Sequence, residues 1–186
     1  MILHGKRVLV VGGGVSGEAA ARFLLSRKAQ VTLTDVREKE KLRSSLLAME
    51  EKGLEIAAGG HRTDLFRRAD LVVVSPGVPA TIPPLQEAVA RGVEVISEME
   101  LAFRFLRIPV GAITGSNGKT TTTLFLKEIL EQAGMKVFAG GNLGTPLTYA
   151  VGGEWDAAVV EVSSFQLEWV KEFRPRAAAL LNMAPN

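Results

Sequence analysis

Twice in this chain a short apolar run breaks off into glycine and a helix-forming stretch starts at once. Val8-Leu9-Val10-Val11 runs into Gly12-Gly13-Gly14-Val15-Ser16-Gly17, and Pro109-Val110-Gly111-Ala112-Ile113-Thr114 runs into Gly115-Ser116-Asn117-Gly118-Lys119-Thr120. A strand that feeds a helix in this way returns to its sheet as a parallel crossover, which commits the chain to an α/β architecture.

The remaining pattern agrees. Strands are predicted at 8–11, 31–34, 54–57, 71–74 and 93–96, with helices at 16–27, 39–52 and 84–91, the last opened by prolines. A second series begins near Ser97 with a connecting helix over 98–106. Strands at 109–114, 136–139, 157–162 and 176–181 follow, together with a helix over 120–132 whose Leu124, Phe125, Ile129 and Leu130 have helical spacing. The chain therefore reads as a Rossmann-like parallel-sheet domain over 1–96, then a P-loop-type α/β domain over 97–186. The second is expected to be truncated, with one sheet face and an edge uncovered.

Composition removes several classes of function. Lys+Arg of 22 against Asp+Glu of 20 gives a net charge of +2, and no basic block exceeds Arg67-Arg68, so nucleic acid is not an expected partner. There is no cysteine, and His4 and His61 stand alone, so any metal is expected to be oxygen-bound. No apolar run approaches the roughly 20 residues of a membrane span, and the first residues lack a signal pattern. A cytoplasmic monomer is expected.

Two turns carry the chemistry. Gly12, Gly14 and Gly17 fit G-x-G-x-x-G at a strand-to-helix turn, and Asp35 ends the next strand. Such glycines let backbone amides approach a pyrophosphate, while a carboxylate at that place takes donors from a ribose or a base edge. Ser75-Pro76-Gly77 ends the fourth strand beside that turn, so Ser75 and Gly77 are candidates for the same ligand, although a plain Pro-Gly turn fits the spacing as well. NAD, FAD and nucleotide sugars all present a pyrophosphate.

The second turn, from Gly115 through Ser116, Asn117, Gly118, Lys119 and Thr120 to Thr121, places amides, a lysine and a hydroxyl at a helix start. That set suits the phosphates of a nucleoside triphosphate and Mg²⁺. The full Walker pattern begins with glycine where Ile113 stands, so the loop is a shortened relative. Gly141-Asn142-Leu143-Gly144 and Glu161 end two further strands at the same sheet edge. An acid closing the apolar run Ala157-Ala158-Val159-Val160 is costly unless paired or bound to a cation, which makes Thr120 and Glu161 the candidate metal ligands. Asn142 equally fits a residue that satisfies its own turn.

In this order these elements, with Glu161-Val162-Ser163-Ser164-Phe165-Gln166-Leu167, resemble the Mur ligase family over the whole chain. The Ser-Ser-Phe-Gln-Leu run is similar to the branch that adds D-glutamate. The resemblance implies an ATP-dependent amide-forming ligase of peptidoglycan precursor synthesis, acting on UDP-N-acetylmuramoyl-L-alanine and D-glutamate with Mg²⁺. It implies that Gly14, Val15, Ser16, Asp35 and Arg37 contact uridine and pyrophosphate, with Ser75 and Gly77 nearby and Asn142 toward the muramoyl part. Residues 115 to 121 would hold ATP, Thr120 and Glu161 the metal, and Lys119 and Glu161 would be the catalytic pair. The substrate carboxylate would become an acyl phosphate that the amine of D-glutamate displaces. Val36 offers no side-chain hydrogen bond where other members have one. The family continues past this terminus with a histidine ligand, a modified lysine and a third domain, so the chain alone is expected not to ligate.

Two other classes fit part of the pattern. An NAD(P)-binding oxidoreductase accounts for Asp35 and leaves Lys119 and Glu161 idle. A non-catalytic nucleotide-binding module or regulatory fragment is the other, suggested by the abrupt terminus.

Overall fold

The computed structural model describes residues 1–184. Its first sheet holds β1 (Arg7–Val11), β2 (Gln30–Thr34), β3 (Glu55–Ala57), β4 (Leu71–Val74) and β5 (Glu94–Ser97), in the order β3-β2-β1-β4-β5. Every pairing is parallel. Both faces of β1 are used: Val8 and Val10 join a core with Leu24, Leu46 and Leu101, while Leu9 and Val11 join another with Phe66, Leu85 and Val95. Successive strand residues point to opposite faces, so a strand buried on both must be apolar throughout. α1 (Val15–Ser26) covers the first face. α3 (Thr63–Arg68) and α4 (Pro83–Ala90) cover the second. Strand order reverses between β1 and β4, so the turns that leave them face each other across a crevice.

The helix expected over 39–52 is broken. α2 is only Ser44–Leu47, flanked by single 3₁₀ turns at Lys39–Lys41 and Glu50–Lys52. Leu42, Leu46 and Met49 are buried with helical spacing, yet Leu42 and Arg43 are extended. The extended pair carries Arg43 to buried Glu18, 2.6 Å away, and Ser44-Ser45 adds little helix propensity to resist it. α3 was not foreseen.

The second sheet contains β6 (Val110–Thr114), β7 (Val137–Gly141), β8 (Ala157–Glu161) and β9 (Ala177–Leu180), all parallel, in the order β7-β8-β6-β9. α5 (Glu98–Phe103) leads into it and α6 (Lys119–Gln132) joins β6 to β7. The expected alternation with helices is thin beyond that point. Only a 3₁₀ turn at Leu147–Ala150 lies between β7 and β8, and only the one-turn α7 (Ser164–Leu167) lies between β8 and β9. The expected bare sheet face is also corrected. Met99 and Ala102 of α5 pack with Leu147 and Ala150 on Ala158 and Val160, while Leu126 and Leu130 of α6 pack on Ile113 and Val159. Exposure is concentrated on β9. α6 turns Thr123 inward and leaves Leu124, Phe125 and Ile129 exposed, so the predicted apolar face was displaced around the helix.

Two acids of α5 hold the sheets' junction. Glu100 is fully buried and accepts from Arg104 Nε at 2.7 Å and from the amides of Lys171, Glu172 and Phe173. Glu98 accepts from the Thr148 amide at 2.7 Å, while its Oε2 is sealed without a partner among the described residues. Burial therefore pushes the Glu98 carboxyl above its ordinary 4.5, against the pull of the Thr148 amide. An acid raised by folding adds stability that is complete below pH 4.5 and is lost as pH climbs through its folded value. Glu98→Gln is accordingly expected to raise the urea midpoint at pH 8, with a smaller gain at pH 5. A variant less stable than the unchanged chain at pH 8 would rule out a strained carboxylate here.

Candidate functional site

The glycine turn after β1 is built by close approach. A Cβ on Gly17 would lie 1.8 Å from the Gly12 carbonyl oxygen, so only glycine lets α1 start this near the strand. Gly14 is extended, and a Cβ there meets nothing within 4 Å, so the space before the helix N-terminus is open. Ser75, from the turn after β4, donates to the Gly12 carbonyl at 2.9 Å and locks the two sides of the crevice together.

Asp35, at the end of β2, is buried and fully engaged. Its carboxylate accepts from the Gly13 amide at 2.6 Å, the Arg37 amide at 2.8 Å, Arg37 Nε at 2.9 Å and Arg37 Nη2 at 2.8 Å. The Arg37 guanidinium, helped by the two amides, holds this carboxyl down to about 2 against the opposing effect of burial. Four donors fill the lone-pair sites of a carboxylate. Asp35 thus fixes the turn and presents Arg37, whose side chain is 42% exposed, as the outward group of the pair.

A cleft of about 450 Å³ opens over these groups. Gly14, Val15, Ser16, Asp35, Arg37, Ser75, Gly77 and Asn142 all line it, so the structure brings together every residue expected at the first site. Among the further lining residues, two with polar side chains were missed as site residues. Gln166 arrives on α7, where it closes a capping box with Ser163, and His61 arrives on the loop after β3. The available signal was positional: both loops leave strands at the carboxyl edge.

The second turn lies beyond this cleft. Gly118, with φ of 82°, takes the left-handed conformation that opens α6, whose first-turn amides at Lys119, Thr120 and Thr121 are the donors that a helix leaves unpaired. Lys119 Nζ folds back on the loop, donating to the carbonyls of Gly115 at 2.7 Å and Ser116 at 3.1 Å. Asn182, not foreseen as a site residue, clasps the loop from just after β9. Its Oδ1 accepts from the Asn117 amide at 2.9 Å, its carbonyl accepts from the Ser116 amide at 3.1 Å, and its Nδ2 donates to the Asn117 carbonyl at 3.0 Å.

Glu161 joins the two halves. It is 3% exposed and is held by neutral donors: Thr120 Oγ1 donates to one carboxylate oxygen at 2.6 Å and Asn142 Nδ2 to the other at 2.7 Å. Asn142 therefore does more than satisfy its own turn. Thr120 and Asn142, both neutral, are the side chains that pair with Glu161 among the described residues, where no group of three or more acids, histidines or cysteines forms a metal site either. One buried carboxylate and one hydroxyl are a hard, incomplete donor set, which fits Mg²⁺ because that ion keeps waters and phosphate oxygens in its shell.

A family model for the N-terminal domain of MurD-like Mur ligases matches residues 6–97, and one for the Mur ligase middle domain matches residues 113–186. The chain belongs to the Mur ligase family. Among Mur ligases, a UDP-N-acetylmuramoylalanine--D-glutamate ligase from Desulfosudis oleivorans is 50% identical over 181 residues, 96% of this chain and 39% of the relative. One of the same name from Geotalea daltonii is 50% identical over 185 residues, 98% of this chain and 41% of the relative. The chain thus spans about two fifths of the length of these relatives. The fold is shared with the solved UDP-N-acetylmuramate:L-alanyl-gamma-D-glutamyl-meso-diaminopimelate ligase from Neisseria meningitides. That match has a TM-score of 0.60 at 18% identity, covering 98% of this chain and 62% of the other. As a Mur ligase sequence, the chain comes from a group of amide-forming ligases. No helix among the described residues is long and apolar enough to cross a membrane.

Proposed function

We propose that this chain carries the UDP-precursor site and the ATP-phosphate loop of a cytoplasmic ligase that joins D-glutamate to UDP-N-acetylmuramoyl-L-alanine. The observation that carries the reading is continuity. Asn142 lines the cleft and donates to Glu161, and Glu161 accepts from Thr120 of the phosphate loop. A ligand whose pyrophosphate sits at the glycine turn would extend its carboxylate end toward that line. Residues 1–96 would serve the precursor and residues 97–186 the triphosphate.

The expected reaction has two steps. The precursor carboxylate takes the γ-phosphoryl group as ADP leaves, and the amine of D-glutamate then displaces phosphate from the acyl carbon, losing a proton as the amide forms. Bound Mg²⁺ would neutralise phosphate charge, with Thr120 and Glu161 holding it. The chain's own tasks are positional: first-turn amides and Lys119 face the phosphates, Arg37 and Ser16 the nucleotide, and Asn142 the space between. No covalent bond to the protein is required.

Calorimetry with UDP tests the cleft. Gly14→Val is expected to fold normally, because the added atoms enter open space. It should nevertheless abolish UDP binding by filling the approach to the turn. Asp35→Ala should weaken UDP by about 5- to 150-fold, the equivalent of roughly 1–3 kcal/mol, by releasing Arg37 and orphaning the Gly13 amide. Unchanged affinity in both variants, or tighter binding of NADH than of UDP by the unchanged chain, would remove the precursor site from this cleft.

A further inference from the structure

We infer that His61 reads the nucleotide base in this cleft, with Nε2 as the acceptor that selects a uracil imide over cytosine. The inference rests on the proposal that the cleft takes a uridine nucleotide, and it deepens that reading by naming the residue that distinguishes the base.

Hydrogen-bond direction fixes the tautomer. Thr34 Oγ1 lies 3.0 Å from the Gly60 carbonyl, which can only accept, so the single hydroxyl proton goes there. His61 Nδ1 lies 3.1 Å from the same oxygen and must therefore be the donor in that contact. A neutral ring protonated at Nδ1 carries its lone pair on Nε2. Burial favours the neutral ring by lowering the imidazole below its ordinary 6.5, although the Asp35 charge opposes this. The ring is held by its edge-on contact with Phe66, at 6.2 Å and 81°, and by the backbone before it, where the Gly60 amide donates to the Asp35 carbonyl at 3.0 Å.

Nε2 has no protein partner and is not sealed among the described residues, and His61 lines the cleft beside Arg37. Asp35, the nearby acid, has no lone pair to spare. This end of the cleft thus offers donors from Arg37 and one side-chain acceptor from His61. Uracil presents the matching edge, since its N3–H donates while the flanking carbonyls accept. Cytosine turns an N3 lone pair toward the same acceptor, and a polar site left with facing lone pairs rejects such a ligand strongly.

The test is calorimetry of the 186-residue chain with UDP and with CDP. The unchanged chain is expected to prefer UDP by about tenfold or more. His61→Phe keeps an aromatic edge for Phe66, His61→Asn keeps a donor for Thr34, and both lack Nε2, so each should bring the two nucleotides within about threefold. Equal affinity of the unchanged chain for UDP and CDP, or full preference in either folded variant, overturns the role of His61 while leaving the uridine site standing. Failure of the unchanged chain to bind either nucleotide overturns the uridine site and this inference together. Nitrogen-15 spectra of the unchanged chain give a readout free of substitution. A proton on Nδ1 and an Nε2 resonance shifted by UDP support the inference, whereas a proton on Nε2 overturns it.

Discussion

Glu161→Ala, made in a chain extended to the length of the Desulfosudis relative, is expected to lower D-glutamate-dependent phosphate release at least a thousandfold. The carboxylate is buried, meets only the neutral donors Thr120 and Asn142, and stands where a loop-bound triphosphate would bring its metal. Losing such a charge removes several kcal/mol of barrier lowering, and about 1.4 kcal/mol corresponds to each tenfold in rate. Glu161→Gln separates chemistry from architecture, because an amide of the same shape still has an oxygen for Thr120 to donate to. It should fold as stably as the alanine variant or better and be nearly as inactive. If either variant releases phosphate within tenfold of the unchanged enzyme, Glu161 is not the metal-holding acid. The rate should be followed over a Mg²⁺ titration, since a merely structural residue would not move the metal requirement.

Gly17→Ala is expected to be the most damaging single methyl group in the chain. Its Cβ would sit 1.8 Å from the Gly12 carbonyl oxygen and 2.8 Å from Ser75 Oγ. Neither neighbour is free to yield, because the Gly12 carbonyl accepts from Ser75 and α1 is wedged by fully buried Ala20, Ala21 and Leu24. Relief requires α1 to lift from β1, at a cost of roughly 4 kcal/mol or more in a core packed at crystal density. Urea unfolding measures the cost directly. A loss under about 1 kcal/mol would mean that the turn is slack and that its geometry does not depend on glycine.

Legibility of the fold followed burial. Strands inside a two-faced parallel sheet are apolar without interruption, so β1, β4 and β8 stand out from sequence alone. Peripheral pieces did not. Leu42, Leu46 and Met49 have a helix's spacing on a backbone bent so that Arg43 meets Glu18, and periodicity does not register a bend. α6 carries more apolar residues than its inward face needs, which left the choice of face open until the neighbours were known. The same division holds at the site. Glycine turns, Lys119 and Glu161 belong to local patterns with their own chemistry. Asn182 reaches a loop 65 residues earlier in the chain, and His61 acquires direction only from Thr34, so neither role exists within a sequence window.

The hydrogen bonds from Asn142 to Glu161 and from Thr120 to Glu161 also have a thermodynamic meaning. One carboxylate shared by a cleft residue and a loop residue makes the occupancy of each place a variable of the other. A ligand that draws Asn142 away from Glu161 alters what Thr120 and its carboxylate offer at the loop. By linkage, a nucleotide at the loop must then change affinity in the cleft by the same factor, whichever binds first. With both places filled, the coupling between them would pass through a single buried side chain.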